Sequence, residues 1–200
     1  MQFTPELVAR CRAQFPALSR EIDGQPVAFL DGAAGSQVPQ GVIDAIGDYL
    51  ANCNANHEGE FATSYESDAM LEDAHQAAAD FLGADDPHTV CFGANMTTLT
   101  LAFSRALAKT WQPGDEILVS RLDHDGNFSP WKLAARDAGV TVREVAIHPD
   151  DCTLDIADFK SKLTDKTRLV AFCAASNLSG TINPIDNLCT LAHGAGAQVF

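Results

Sequence analysis

From residue 88 onward the chain repeats one pattern: a short apolar run, a loop of small or polar residues, then a helical stretch. Runs at 89–92, 116–120, 141–147, 169–174 and 198–200 read as strands, and 26–30 is a further short apolar strand upstream. Helical spacing fills most of the gaps, at 97–109, 128–138, 156–163 and 185–193, with Gly194 and Gly196 as stop signals for the last. Strands that alternate with helices are βαβ units. They predict an α/β fold: a mostly parallel sheet with helices on both faces. Such sheets bind ligands at the carboxyl ends of their strands, so the loops after the strands are where chemistry is expected.

Upstream of the repeat the pattern is looser. Residues 4–15 read as a short helix ended by Pro16, and the loop 31–36 of small residues follows the strand at 26–30. Pro39 opens a helix with Val42, Ile46, Tyr49 and Leu50 on one face. A polar loop at 52–63 leads to a second helix, striped by Met70, Ala74, Ala77, Ala78 and Phe81, which Gly83 is placed to stop.

Three loops carry the candidate chemistry. Gly93-Ala94-Asn95-Met96-Thr97-Thr98 joins a strand to a helix start, where small residues and free N–H groups suit a phosphate. The same residues also read as an ordinary N-capped helix, with Asn95 or Thr97 as cap. In Leu122-Asp123-His124-Asp125-Gly126-Asn127, His124 sits at a strand's carboxyl end. There it can stack on a flat ring or transfer protons, or be a surface histidine between two aspartates. In Ser176-Asn177-Leu178-Ser179-Gly180-Thr181-Ile182-Asn183-Pro184 the composition makes a turn, and Asn177 could hydrogen-bond a ligand at the strand end. Together the loops suit an aromatic, phosphorylated small ligand. Neither G-x-G-x-x-G nor G-x-x-x-x-G-K-[ST] occurs, so a dinucleotide or P-loop site is not indicated.

Charge and composition exclude other classes. With 27 acidic and 13 basic residues the chain carries −14, which repels nucleic-acid backbones. No run of 18 or more apolar residues predicts a membrane span. The first residues lack a basic flank followed by an apolar run, which argues against a secretory signal and for a cytoplasmic location. Cys11, Cys53, Cys91, Cys152, Cys173 and Cys189 form no C-x-x-C pair, so they read as reduced thiols and no metal site is expected.

The segments 29–34, 92–100, 123–131 and 176–184 resemble class V aminotransferases, and within them the cysteine desulfurases and selenocysteine lyases. The resemblance runs through essentially the whole chain, in order and spacing. It implies the type I (aspartate aminotransferase-like) fold of pyridoxal 5′-phosphate (PLP) enzymes, with residues 1–40 as an N-terminal segment and 41–200 as the first part of the PLP-binding large domain. It implies that Asn95, Met96 and Thr97 hold the cofactor phosphate. His124 would stack on the pyridine ring as the candidate catalytic residue, and Asn177 would hydrogen-bond the ring hydroxyl oxygen. Ala33 and Ala34 would line the substrate side, with Asn56 and His57 near the mouth. Two departures stand out. The family more often has a Thr-Thr pair at Asn95-Met96, and a basic residue or histidine at Asp125, so this site is expected to be more acidic.

The resemblance also implies a homodimer, a small amino-acid substrate cleaved at a C–S or C–Se bond, and a sulfur-acceptor protein. It sets the ring-nitrogen aspartate, the Schiff-base lysine and the nucleophilic cysteine beyond Phe200, so the 200 residues alone are expected to be inactive. The alternatives are a transaminase or epimerase of the same family, a non-catalytic relative acting as a dimeric scaffold, or an unrelated doubly wound domain with another phosphorylated ligand.

Overall fold

Parallel strands with both faces covered organise the second half of the chain. The computed structural model describes residues 3–200, in two compact units that divide between Cys91 and Phe92.

The first unit is mostly helical. Helix α1 (Pro5–Arg12) is capped by Thr4, whose side chain accepts from the Leu7 N–H. A short hairpin follows, β1 (Glu21–Ile22) with β2 (Gln25–Pro26). Its turn residues Asp23 and Gly24 both have positive φ, 51° and 72°, as a two-residue hairpin requires. The strand expected at 26–30 is not formed. Beyond Pro26 the backbone joins no ladder, and Leu30 is 93% exposed, so no neighbour draws these residues into a sheet. Helices α2 (Gln40–Asn52) and α3 (Ala62–Leu82) are joined by Tyr49 and Ser67, whose hydroxyls lie 3.1 Å apart. Gly83 ends α3 in the left-handed conformation (φ 71°), its N–H bonding the Ala79 carbonyl. The predicted apolar face of α2 is present but uncovered, with Val42, Ile46 and Leu50 all exposed.

The strand expected at 89–92 is also absent. Asp86 takes the His88 N–H on its side chain and the Thr89 hydroxyl on its carbonyl, which closes a 3₁₀ turn over Pro87–Thr89. Local side-chain bonds of this kind compete with extended pairing.

The second unit begins with α4 (Met96–Leu107) and continues through β3 (Glu116–Ser120), α5 (Ser129–Ala138) and β4 (Thr141–Val145). A small hairpin, β5 (Ile147–His148) with β6 (Thr153–Leu154), precedes α6 (Ile156–Lys162). Then come β7 (Thr167–Ala171), α7 (Ile185–Gly194) and β8 (Gln198–Val199). The four long-range strands form one parallel sheet in the order β4-β3-β7-β8. Alternation along the strands serves two cores. Ile117, Val119, Leu169 and Ala171 pack with Trp131, Ala134 and Ala135 of α5 on one face. Leu118, Val170 and Phe172 pack with Phe159 of α6 and Leu188 and Ala192 of α7 on the other.

That order fixes where a crevice opens. From β3 the chain crosses by α5 to β4 on one side, whereas β7 lies on the other side and is served by α6 and α7 on the opposite face. The carboxyl ends of β3 and β7 are therefore neighbours whose loops leave in opposite directions, the topological switch point at which open parallel sheets bind ligands. At the opposite edge Arg143 grips Glu116 with two bonds of 2.8 and 2.6 Å, and Thr164 adds a third of 2.8 Å.

Leu118 is fully buried at the centre of this sheet. Leu118→Ala should cost about 2–5 kcal/mol of folding stability by transfer and cavity terms. Urea unfolding should show a lower midpoint at an unchanged slope; a loss under about 1 kcal/mol would contradict the packing described.

Candidate active site

The switch-point crevice is lined by residues from three loops. Met96 comes from the start of α4, Asp123, His124 and Asn127 follow β3, and Phe172, Cys173 and Asn177 follow β7. The cavity holds about 440 Å³, within the range for small-ligand sites.

The start of α4 leaves backbone donors free. Asn95 caps the helix, its side-chain oxygen accepting from the Thr98 N–H at 2.9 Å, while its carbonyl takes the Leu99 N–H at 3.1 Å. Of the two caps the sequence allowed, Asn95 is the one formed. The Met96 and Thr97 N–H groups keep no partner among the described residues and sit at the positive end of the helix dipole.

His124 is held by the turn that follows it. Its Nδ1 accepts from the Gly126 N–H at 3.0 Å, and its carbonyl accepts from the Asn127 N–H at 2.8 Å. An accepting Nδ1 puts the ring hydrogen on Nε2. Gly126 is the hinge of this arrangement. A Cβ there would lie 2.7 Å from Thr97 Oγ1 and 3.1 Å from both His124 Nδ1 and Met96 Cε. Only a residue without a side chain lets the His124 turn close against the start of α4. Gly126 is thus a site residue that the sequence did not single out, because its closeness to Thr97 exists only after folding.

The loop carrying Asn177 is stitched on both sides. Ala175 bridges Ile182, the Ser176 N–H bonds the Thr181 carbonyl at 2.9 Å, and the Ser176 hydroxyl accepts from the Leu178 and Ser179 N–H groups at 3.3 Å each. Asn183 Nδ2 donates to the Cys173 carbonyl at 2.8 Å. Gly180, at φ 73°, makes the left-handed turn.

Beneath these groups runs a polar chain that the sequence reading missed. Trp131 Nε1 donates to Asn127 Oδ1 at 2.9 Å, and Asn127 Nδ2 donates to Asp123 Oδ1 at 2.6 Å. Its signal was the four-residue spacing Asp123, Asn127, Trp131, which puts the three on one side of the 3₁₀ turn and α5. Burial pushes the Asp123 carboxyl above its usual range, against hydrogen bonds from Asn127, Ser120 and Cys173. Cys173 is pushed up to about 11, by burial first and by the nearby Asp123 carboxylate second. At neutral pH it is a thiol and a poor nucleophile. Asp125, where a basic residue was the family's commoner choice, accepts from the Ser129 hydroxyl and is not among the cavity's lining residues.

The remaining candidates lie in the first unit. Ala33 and Ala34 are exposed in a turn closed by the Ala34 N–H on the Asp31 carbonyl at 3.2 Å. Asn56 is exposed, and His57 lies 3.9 Å from both Glu58 and Asp68 in a cavity of that unit. Among the described residues no helix is long and apolar enough to cross a membrane, and no cluster of His, Cys, Asp or Glu could hold a metal ion.

The sequence profile of the family "Aminotransferase class-V" matches residues 28–200. The chain belongs to that family. A cysteine desulfurase of Dickeya dadantii is 36% identical over 195 residues, covering 96% of this chain and 47% of its own length. The chain thus spans about half the length of the curated relatives it matches. Among solved structures, the Escherichia coli cysteine desulfurase CsdA superposes with a TM-score of 0.82 at 29% identity, over 100% of this chain and 48% of that one. The enzyme C-DES, solved as a K223A mutant with glycine covalently linked to its PLP cofactor, gives 0.75 at 22% identity, over 94% of this chain and 48% of that one. The fold is that of the type I PLP-dependent transferases, and the relatives of this chain are PLP enzymes.

With its thiol raised to about 11, Cys173 should react slowly with iodoacetamide at pH 8, where under about 1% is thiolate, and faster as pH rises toward 11. Peptide mass spectrometry across pH follows this directly; fast labelling of Cys173 at pH 7 would contradict its buried setting.

Proposed function

We propose that the protein carrying this chain is a PLP-dependent cysteine desulfurase-like enzyme, cleaving the C–S bond of a small amino acid. One observation carries the reading: Met96 at a helix start, the His124 imidazole and the Asn177 carboxamide, from three loops, line one cavity at the β3/β7 switch point. The donor set fits the cofactor. Free N–H groups at a helix start suit a phosphate, and the flat imidazole and the apolar walls of Met96 and Phe172 suit a planar heterocycle.

In this reading the Met96 and Thr97 N–H groups bind the phosphate, and Asn95 supports them by fixing the cap. His124 would lie against the ring face, and Asn177 would donate to the ring hydroxyl oxygen. When bound, the cofactor acts as an electron sink for the substrate's reacting carbon. The chain's part is to orient that carbon and to manage protons. Because His124 Nδ1 is occupied by the Gly126 N–H, any proton His124 moves passes through Nε2. Ala33, Ala34, Asn56 and His57 are assigned to the substrate side.

Lys109, Lys132, Lys160, Lys162 and Lys166 are absent from the residues lining the cavity. The family resemblance assigns the lysine that anchors the cofactor, the ring-nitrogen aspartate and the sulfur-bearing cysteine to sequence outside these residues. Action on selenocysteine, a homodimeric assembly, a sulfur-acceptor protein and a cytoplasmic location belong to the same proposal.

His124→Ala in the full-length protein tests the reading. Loss of a stacking partner worth about 1–3 kcal/mol should weaken PLP binding about 5- to 150-fold. Sulfide release from cysteine should slow while the circular dichroism spectrum is unchanged. Wild-type protein that neither binds PLP nor releases sulfide would refute the assignment.

A further inference from the structure

Asn177 makes no hydrogen bond of its own among the described residues, so its place in the cavity wall is set by what holds its neighbours. Those neighbours are tied to a second element. The Thr181 hydroxyl donates to the Cys152 carbonyl at 2.9 Å, across 29 residues of sequence. The Thr181 carbonyl takes the N–H of Ser176, the residue before Asn177, at 2.9 Å. A hydroxyl has one hydrogen to give, and that of Thr181 goes to Cys152. In the 2.9 Å contact between the Ser179 and Thr181 hydroxyls, Ser179 is therefore the donor. The bonds form one directed chain, from Ser179 through Thr181 to the backbone of Cys152.

Cys152 lies in the turn of the β5–β6 hairpin, and that hairpin is a firm anchor. Leu154 of β6 is buried in the core with Phe159 and Leu188, and Ile147 of β5 packs against the same core. The turn between them is closed locally. The Cys152 N–H bonds the His148 carbonyl at 2.9 Å, and the Asp151 carboxylate accepts from the Thr153 N–H and hydroxyl at 2.9 and 2.7 Å. Cys152 itself is held at φ 56°, a left-handed conformation that a side chain disfavours. Such a conformation persists only where the surroundings determine it. Here its two main-chain groups are both engaged, the N–H within the hairpin and the carbonyl by Thr181.

We propose that Thr181 is a positioning residue: its bond to the Cys152 carbonyl fixes the loop that carries Asn177 and so sets where the Asn177 amide meets a ligand. The β5–β6 hairpin, which does not itself line the cavity, thereby becomes part of the support of the site. The acceptor is a main-chain oxygen, so the Cys152 thiol has no part in the bond, whereas the Thr181 hydroxyl is indispensable to it. What Asn177 binds rests on the PLP reading; the tie between hairpin and loop does not.

The test is a double-mutant cycle in the full-length protein, read by equilibrium dialysis of PLP, with amide hydrogen exchange followed without ligand. Thr181→Val keeps the shape and removes the donor, and should weaken PLP binding about fivefold. Thr181→Ser keeps the donor and should stay within about twofold of wild type. Because Thr181 acts through Asn177, adding Thr181→Val to Asn177→Ala should cost less than about twofold more. In the exchange experiment the Ser176 and Gly180 amides should exchange faster in Thr181→Val and at the wild-type rate in Thr181→Ser. Full additivity on the Asn177→Ala background overturns the proposal, as does a Thr181→Ser protein as weak as Thr181→Val, or an Asn177→Ala protein that binds as wild type. If Thr181→Val fails to fold, Thr181→Ala takes its place in the cycle. If wild type binds no PLP, the cofactor reading fails separately, and the exchange rates decide: faster exchange at Ser176 and Gly180 upholds the tie between hairpin and loop, and unchanged exchange overturns it.

Discussion

Parallel pairing of β3 with β7 is the constraint from which the rest of the second unit follows. Both strands are central in the sheet, so their side chains must be buried on both faces. Ile117 and Val119 point to α5, and Leu118 to α6 and α7. Covering both faces forces the connections after the two strands to part, and the gap between them is the cavity that holds His124 and Asn177. The site is a product of topology before it is a product of its side chains.

Core and cavity are joined by a short polar relay. Trp131 is fully buried and meets Phe103 and Phe200 at ring distances of 6.2 and 4.9 Å. Its indole N–H has to find an acceptor, and Asn127 supplies one while donating onward to Asp123. An aromatic residue of the core thereby sets the angle of an acid in the cavity wall. Gly126 does the complementary work from above, letting the His124 turn reach the start of α4. Rigid support of this kind is what a site needs if its groups are to be in position before a ligand arrives.

The repeat of strand, loop and helix from residue 116 onward was legible because each strand is a dense apolar run between turn signals, and the ends of β3, β4, β7 and β8 fall within three residues of expectation. That His124 and Asn177 would come together at the carboxyl ends of β3 and β7 was legible for the same reason, since the order of the strands places the loops that follow them. The failures have a common cause. Residues 89–92 and 27–30 have strand composition but join no strand ladder, and strand formation depends on a partner that a local window does not contain. Asp123, Gly126 and Cys173 matter through residues distant in sequence, such as Thr97 for Gly126 and Leu122 for Cys173, so composition alone did not mark them.

The central claim is that three loops make one site for a phosphorylated ring. Titrating PLP into ¹⁵N-labelled protein, with the backbone amides of all three loops followed in one spectrum, measures it most directly. The account predicts that the Met96, Thr97, Gly126 and Asn177 signals shift together, along a single saturation curve, and that inorganic phosphate moves only the first two. Shifts confined to one loop, or saturating at different concentrations, would contradict it.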